Sequence, residues 1–552
     1  MRRPSGASAR SRLTEPVWGG AFCAAIFAVF VWLFLDGLAP RDSIRYAFHG
    51  LDLAGLTGPE DARWTIADHW RLRWPMTLSI AASHRLFGPS ETAAAIACAA
   101  WVAGLVAVTF VMGRRVLGPG AGTMAAAFTA GSAFCAAQAM EVRIHGYETA
   151  FGAAALWIAA EGLSRGDARR LLAAGVLAGG AWLCRETAVV LPAALGVASL
   201  VRFGPSPARW RGLLATSAGF LTVLGTELAA YWAVTGDPAF RLRLSANHEA
   251  ITAGADPTGL LIGGTSATDA VSSAGAALAS PLSQDPLGQL LSTPNVTPFL
   301  LGAVGLAVLA LVFRPRTRDV RAGQTAPTSA SAPASSPAAA RWAGWLFGGT
   351  AAASWLVSSY VLRLEEPLYA PMVPYAAGVL AGWAVWRLWS RFGIVLGGVL
   401  TAGWLMASAA AADLRDFDEW GEARWLAKGW KAGRLTETVA ADPITAGRVA
   451  SLLHLEGRDT SWIRRPDGLC EGRLVVVGNP VGRSGGGLTP ADDWRLVDTV
   501  DARHPSPARA VLRNVPVVGD LGPIAGIVAP NRPLQFFRAG PSAGPCEADA
   551  GT

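Results

Sequence analysis

The hydrophobic pattern of this chain is a series of long apolar runs separated by short connections rich in arginine. An apolar stretch of about 20 residues is what a helix needs to cross a bilayer. Such runs lie near 17–35, 91–112, 120–138, 148–163, 171–183, 187–202, 212–234, 297–313, 342–361, 370–387 and 393–412. Each predicts a helix, because in hydrocarbon a backbone must satisfy its own hydrogen bonds. The runs at 171–183 and 187–202 are short, and their merging would lower the count of eleven.

The connections are of three kinds. Residues 36–90 have helical apolar spacing from Ile44 to Leu56 and an amphipathic, basic stretch from Trp70 to Phe87. That stretch predicts a helix lying in the membrane interface. Residues 235–296 are Gly/Ser/Ala-rich and weakly patterned, as long functional or mobile loops are. Residues 322–340, within the connection 314–341, are low-complexity Ala/Pro/Ser and read as a flexible linker.

Past the last run the character changes. Residues 438–455 read as a short extended piece, a turn at Asp442-Pro443 and a helix, and 473–479 as a compact apolar strand. A strand–helix–strand order predicts a small α/β domain over 413–552, with a disordered tail beyond about Gly540. Gly485-Gly486-Gly487 is a loop, since no strand leads into a dinucleotide fingerprint. The expected fold is therefore an α-helical polytopic membrane protein. It has a basic N-terminus (1–16), a membrane body (17–412) and a C-terminal α/β domain outside the cytoplasm.

Composition supports this class. Of 552 residues, 52% are hydrophobic and 16% charged, against about 25% charged in soluble domains. The net charge of +7 does not indicate a nucleic-acid partner, because the arginines gather in alternate connections. Arg114 and Arg115, Arg165 to Arg170, Arg202 to Arg211, Arg314 to Arg341, and Arg387 and Arg391 mark one side. By the positive-inside rule that side is cytoplasmic, with the N-terminus inside and the C-terminus outside. The first outer loop is an exception, with six arginines from Arg41 to Arg85. The run Val17 to Leu35 is longer than a signal-peptide core and reads as an uncleaved helix. Cys23, Cys98, Cys135 and Cys184 lie in or beside apolar runs as small buried hydrophobes. Cys470 and Cys546 lie in the polar part, where an oxidising compartment would let them pair.

Charge at the outer ends of the spans carries the candidate chemistry, since charge at a membrane boundary is costly. Four clusters stand there: Asp36 and Asp42 with Arg41 and Arg45; Glu141, Arg143, His145 and Glu148; Arg185 and Glu186; and Arg363, Glu365 and Glu366. Each pair can be a local ion pair securing a helix end, and Asp42 can be a solvated loop residue. If the clusters converge, a carboxylate could take an acceptor proton while cations hold a departing phosphate.

The chain also resembles a known family. Asp42 followed by Tyr46 in RDSIRYAFHGLDL, Leu-Phe-Gly-Pro-Ser at 86–90, CRETAVVLP opening one helix and EEPLYAPMVPYAAGVLAG opening another carry the likeness. Their order is similar to that of the polytopic GT-C glycosyltransferases of the family 39 type, over about residues 15–412. The resemblance implies a polyprenyl-phosphate-linked sugar as donor at the outer face of the bacterial cytoplasmic membrane. It implies transfer with inversion to a lipid, glycan or protein hydroxyl. It maps the base to Asp42, the acid at the start of the fourth helix to Glu148 with Glu141 as the second choice, and the basic–acidic motif to Arg185 and Glu186. Asp36 then ends the first helix. The expected donor site adds Arg41, Arg45, Arg71, Arg143 and His145, with Tyr46, Trp74 and Tyr147 as stacking rings, and Arg363, Glu366 and Tyr369 from the later motif. Two departures stand out. Arg41 occupies the place of a second acid, and Glu366-Pro367-Leu368-Tyr369 lacks the arginine of the family motif. No cofactor is expected, and although His145 with Glu141 or Glu148 could ligate a divalent metal, no recognised ligand spacing is present. A lipid or glycan transporter, and a non-catalytic envelope assembly protein, remain alternatives, with membrane lipids as surroundings in every case.

Overall fold

The computed structural model describes residues 9–34, 41–56, 70–140, 142–204, 206–246, 297–313, 337–361, 370–415, 421–441, 443–464, 471–477, 491–500 and 534–543. The structure is mostly helical with one small sheet. In chain order the first helices are α1 (Ala9–Phe34), α2 (Arg41–Leu53), α3 (Trp74–Phe87), α4 (Glu91–Val116), α5 (Pro119–Ala130), α6 (Ala133–Met140), α7 (His145–Arg165) and α8 (Ala168–Cys184). There follow α9 (Val190–Phe203), α10 (Pro207–Thr235), α11 (Phe240–Ala246), α12 (Thr297–Val312), α13 (Pro337–Leu356), α14 (Met372–Phe392) and α15 (Ile394–Arg415).

Most predicted runs appear as helices, and the departures have local causes. The run at 120–138 is two helices, broken at Gly131-Ser132. Ser132 Oγ accepts the Cys135 backbone N–H at 3.1 Å and so starts α6 as a cap would. The stretch from Trp70 becomes helical only at Trp74, with Pro75 in the first turn, where its missing N–H costs nothing. One face of α3 is buried through Met76, Ile80 and His84, and Leu78, Leu86 and Phe87 point outward. Burial holds the His84 imidazole below its ordinary pKa. The runs at 171–183 and 187–202 stay separate. Arg185 takes an extended backbone (φ −155°, ψ 144°), and a 3-10 turn at Glu186–Val189 leads into α9. By length and apolarity alone, three helices among the described residues suffice to cross a membrane: Glu91–Leu117, Glu186–Phe203 and Trp210–Thr235. Shorter apolar helices lie at Val17–Trp32, Phe299–Val312 and Ile394–Ser408.

Small residues set the closest helix contacts, as expected where packing rather than a solvent drives association. A Cβ on Gly175 in α8 would fall 2.1 Å from the Thr216 carbonyl oxygen in α10. One on Gly219 in α10 would fall 2.2 Å from the Leu172 carbonyl oxygen in α8. Two backbones thus touch through a pair of glycines.

The C-terminal part contributes α16 (Gly421–Lys431), β1 (Val439–Ala441), α17 (Pro443–Leu455), β2 (Ile463–Arg464), β3 (Leu474–Val477), β4 (Arg495–Val500) and β5 (Leu534–Arg538). The five strands lie in the order β2-β1-β3-β5-β4. β1 runs parallel to β2 and β3, with Val439 opposite Leu474, while β5 is antiparallel to β3 and β4. This sheet is not an isolated lobe. One apolar cluster runs from Phe48, Leu51 and Ile80 to Leu426, Val449, Leu453 and Phe536. At its edge the Phe48 and His454 rings lie 5.4 Å apart, and Arg424 donates to Glu91 Oε1 at 2.6 Å. Cys23, Cys98, Cys135 and Cys184 are buried and unpaired, while Cys470 and Cys546 lie outside the described residues.

The glycine contact gives a clean test. Gly219→Ala forces the α8 and α10 backbones apart and should lower stability by about 1–3 kcal/mol. Gly225→Ala, six residues on in the same helix and with nothing within 4 Å of its added methyl, should be neutral or raise stability by about 0.5–1 kcal/mol. Thermal unfolding of the detergent-solubilised protein reads both, and equal shifts would refute the contact.

Candidate active site

The break between α8 and α9 collects most of the buried charge among the described residues, with Glu161 at the far end of α7 as an exception. α8 ends at Cys184, so the carbonyls of 182–184 lose their helical partners. Arginines fill that gap. Arg73, just ahead of α3, donates from Nη1 to the Cys184 carbonyl at 3.0 Å. Arg241, from α11, donates from Nη2 to the Trp182 carbonyl at 2.7 Å and from Nη1 to the Leu183 carbonyl at 3.3 Å.

Two carboxylate centres form around this point. The first belongs to α7. Glu148 Oε1 accepts from Thr187 Oγ1 at 3.1 Å, and Oε2 lies 4.0 Å from Arg185 Nη1. His145 Nδ1 lies 3.3 Å from the same guanidinium and 3.9 Å from Glu148 Oε2. An arginine can only donate, so Nδ1 is the acceptor and the neutral imidazole carries its proton on Nε2. The His145–Glu148 approach is therefore not an ion pair in that state. Glu148 Oε2 is buried and, among the described residues, has no hydrogen-bond partner. The centre thus keeps one carboxylate oxygen unused beside a guanidinium.

The second centre is more tightly paired. Arg241 Nη1 meets Glu227 Oε1 at 2.8 Å, and its Nε meets Glu186 Oε1 at 3.1 Å. Trp182 Nε1 donates to Glu227 Oε2 at 2.7 Å, and Ser245 Oγ donates to Glu186 Oε1 at 3.0 Å. The arginine spends its donors on two carboxylates and two carbonyls, which suits a fastening of α11 to α8 and α10. Beside it opens a cavity of about 460 Å³, lined by Trp74, Leu183, Val223, Glu227, Tyr231 and Val234. Arg73 lies within Coulombic reach of both Glu148 and Glu186 and so couples the centres.

The structure brings together His145, Glu148, Arg185 and Glu186 from the residues singled out by sequence. Arg41 and Asp42 form the first turn of α2. Ser43 Oγ, next in line, donates to the Val142 carbonyl at 2.9 Å. That bond sets the start of α2 against the segment holding Arg143, immediately before α7. Other candidates have other partners. Arg45 lies over the Trp70 ring, 3.9 Å from its centroid, and Arg71 pairs with Asp52 at 2.5 Å. Tyr46 and Tyr147 are core residues, and the Tyr147 ring packs 5.1 Å from Trp101. Trp74 Nε1 donates to the Tyr231 hydroxyl at 2.8 Å. Glu141, Arg363, Glu366 and Tyr369, with Asp36 and Glu365, lie outside the described residues. Among the described residues no group of three or more His, Cys, Asp or Glu gathers as a metal site would.

Sequence reasoning missed Arg73, Thr187, Glu227 and Arg241. Glu227 left a usable signal, a carboxylate inside the apolar run 212–234. Such a residue demands a cation, and Arg241 is among the first that follow. Breaking one side of this buried pair should be costly. Arg241→Met is expected to lose about 3–5 kcal/mol, and the double variant with Glu227→Met to recover much of it. A double-mutant cycle on unfolding midpoints checks this; additive losses would show that the two groups do not act as a pair.

Known proteins share this arrangement of helices. The sequence profile of the dolichyl-phosphate-mannose-protein mannosyltransferase family matches residues 75–232. That span covers Glu148, Arg185, Glu186 and Glu227 and stops short of Asp42 and Arg241. The structure is similar to ArnT from Cupriavidus metallidurans bound to undecaprenyl phosphate, with a TM-score of 0.51 at 14% identity, over 98% of this chain and 100% of that one. The apo form of that ArnT aligns at a TM-score of 0.47 and 18% identity, over 74% of this chain and 64% of that one, just under two thirds of its length. The archaeal oligosaccharyltransferase AglB from Archaeoglobus fulgidus, in complex with an inhibitory peptide and a dolichol-phosphate, aligns at 0.44 and 9% identity, over 96% of this chain and 88% of that one. No curated protein matches the chain at a significant level. The resemblance to the GT-C glycosyltransferases read from the sequence is borne out by the profile match and the fold.

Proposed function

We propose that this chain is an inverting glycosyltransferase that moves a sugar from a polyprenyl-phosphate donor to a hydroxyl on the outer face of the bacterial cytoplasmic membrane. The family match supports an enzyme of the glycosyltransferase kind. The observation that carries the reading is Glu148, a buried carboxylate with one oxygen unused, held beside Arg185 at a break between two helices. A buried carboxylate is costly to keep without a full set of partners. Such a group persists where a ligand completes its bonding.

In the proposed step Asp42 takes the proton of the acceptor hydroxyl. The freed oxygen attacks the anomeric carbon from the face opposite the phosphate, and a new C–O bond forms as the old one breaks. The bond pair leaves on the phosphate oxygen, where developing charge is stabilised by preorganised cations. Arg185, Arg73 and Arg143 are assigned that task. Arg45 and Arg71 are engaged with Trp70 and Asp52 and are not assigned to it. Glu148 orients Arg185 and accepts from a sugar hydroxyl. The prenyl chain is assigned to the apolar cavity by Trp74 and Val223. No metal or other cofactor enters the step, because the donor phosphate is a single group that these three arginines can offset.

The same reading keeps about eleven spans with the N-terminus inside. It places residues 413–552 outside the cytoplasm, where they choose the acceptor among lipids, glycans and proteins. The shared apolar cluster with α2 supports that placement, since it holds the C-terminal part beside the loop that carries Asp42.

The purified chain in lipid discs should release polyprenyl phosphate from a panel of polyprenyl-phosphate sugars. Asp42→Asn should lower turnover by about 100-fold or more, as the loss of a general base does, with an unchanged unfolding midpoint. Arg185→Lys should raise the donor KM more than it lowers kcat, because a point charge replaces a planar fork. Full turnover in Asp42→Asn would remove Asp42 as the base, and no turnover with any donor would remove the reading itself.

A further inference from the structure

A second apolar recess lies away from the charged break. It is a groove of about 960 Å³ between α13 and α14, closed at its sides by Leu117 at the end of α4 and Leu300 in α12. Gly344 and Gly348 open its wall on α13, and an added Cβ at either would meet nothing within 4 Å. Phe347, Trp355 and Trp383 give it apolar surface. Two cations line it, Arg341 near the start of α13 and Arg387 near the end of α14. Because α13 starts where α14 ends, both guanidinium groups stand at one end of the groove. Arg387 lies over the Trp383 ring at 4.9 Å, and neither arginine has an ion pair among the described residues.

We infer that this groove binds an anionic glycerophospholipid. Its phosphate sits between Arg341 and Arg387 and an acyl chain runs along Phe347 toward Trp355. Charge complementarity selects the occupant. Two cations with no carboxylate partner among the described residues, at the mouth of an apolar groove, call for an anion joined to a hydrocarbon chain, and basic pockets between membrane helices on the cytoplasmic side bind anionic headgroups. Dimensions agree. From Arg341 to Trp355 is fourteen residues of sequence, about 21 Å along a helix. One leaflet supplies about 15 Å of hydrocarbon plus its headgroup. The end of the groove is also the arginine-rich one, beside Arg114 and Arg115 of α4. By the positive-inside rule it opens to the cytoplasmic leaflet, the opposite leaflet from the proposed transfer site. The inference rests on the chain being a membrane protein and does not depend on the transfer reaction.

Native mass spectrometry of the full chain released from discs of defined lipid tests the site. The unaltered protein should retain phosphatidylglycerol through delipidation and shed phosphatidylcholine. The double variant Arg341→Gln/Arg387→Gln should weaken phosphatidylglycerol binding about thirtyfold, as two arginines at a membrane surface contribute. Gly348→Leu fills the groove with both arginines in place and should lose the lipid as well, which keeps the test decisive if the arginine variant does not fold. Equal retention in both variants, or equal binding of phosphatidylcholine, would overturn the proposal. Displacement by polyprenyl phosphate but not by excess phosphatidylglycerol would overturn it too, since the groove would then belong to the donor.

Discussion

Much of this architecture hangs on the interruption between α8 and α9. A helix that ends inside an apolar body leaves carbonyls that neither water nor a following turn can satisfy. Here Arg73 and Arg241 reach in from different parts of the chain to take them. Arg241 in turn is met by Glu186 and Glu227, and Arg185, at the break itself, by Glu148. The irregular backbone at Arg185 is therefore tied to the position of α3, α7, α10 and α11 together. A charged group placed at such a point is held by many bonds at once, which is the condition for fixing a reacting phosphate without reorganisation.

The two centres at this break differ in a way that bears on their roles. Around Arg241 the guanidinium meets Glu227 at 2.8 Å and Glu186 at 3.1 Å and bonds two carbonyls as well. Around Glu148 the pairing is looser, with the Arg185 guanidinium 4.0 Å from Oε2. The fold thus sets a tight ion-pair cluster and a looser one around the segment 182–187.

Hydrophobic runs made the helical class, the strand at 474–477 and the helix at 443–455 legible, because period and length alone identify them. The break inside 120–138 was not legible. Gly131-Ser132 is an ordinary pair in an apolar run, and only the capping bond to Cys135 reveals the stop. At the site, Glu148 and Arg185 were readable as boundary charges, and His145 came with them by spacing. Arg73 and Arg241 were not, because their importance lies in which carbonyls they reach, and those lie 111 and 59 positions away in the chain. Aromatic residues misled in the other direction. Tyr46 and Tyr147 stand near the right motifs, yet helix packing turns them into the core. Sequence distance to a motif carries no information about which way a ring faces.

The apolar cluster joining α2 to α17 has a consequence for the making of the protein. Phe48 leaves the ribosome some four hundred residues before its partner His454. At translation rates of about 5–20 residues per second, that gap lasts roughly 20–80 s. Through that interval the part of α2 that meets α17 carries apolar surface with no cover, and an unfinished chain cannot bury it. Completion of the loop is thus a report on completion of the chain. Protease sensitivity of 41–56 in ribosome-arrested chains, falling only once 443–455 has emerged, would be its signature. A polypeptide truncated before the sheet would expose the same surface to the membrane's quality-control proteases before any substrate reached it.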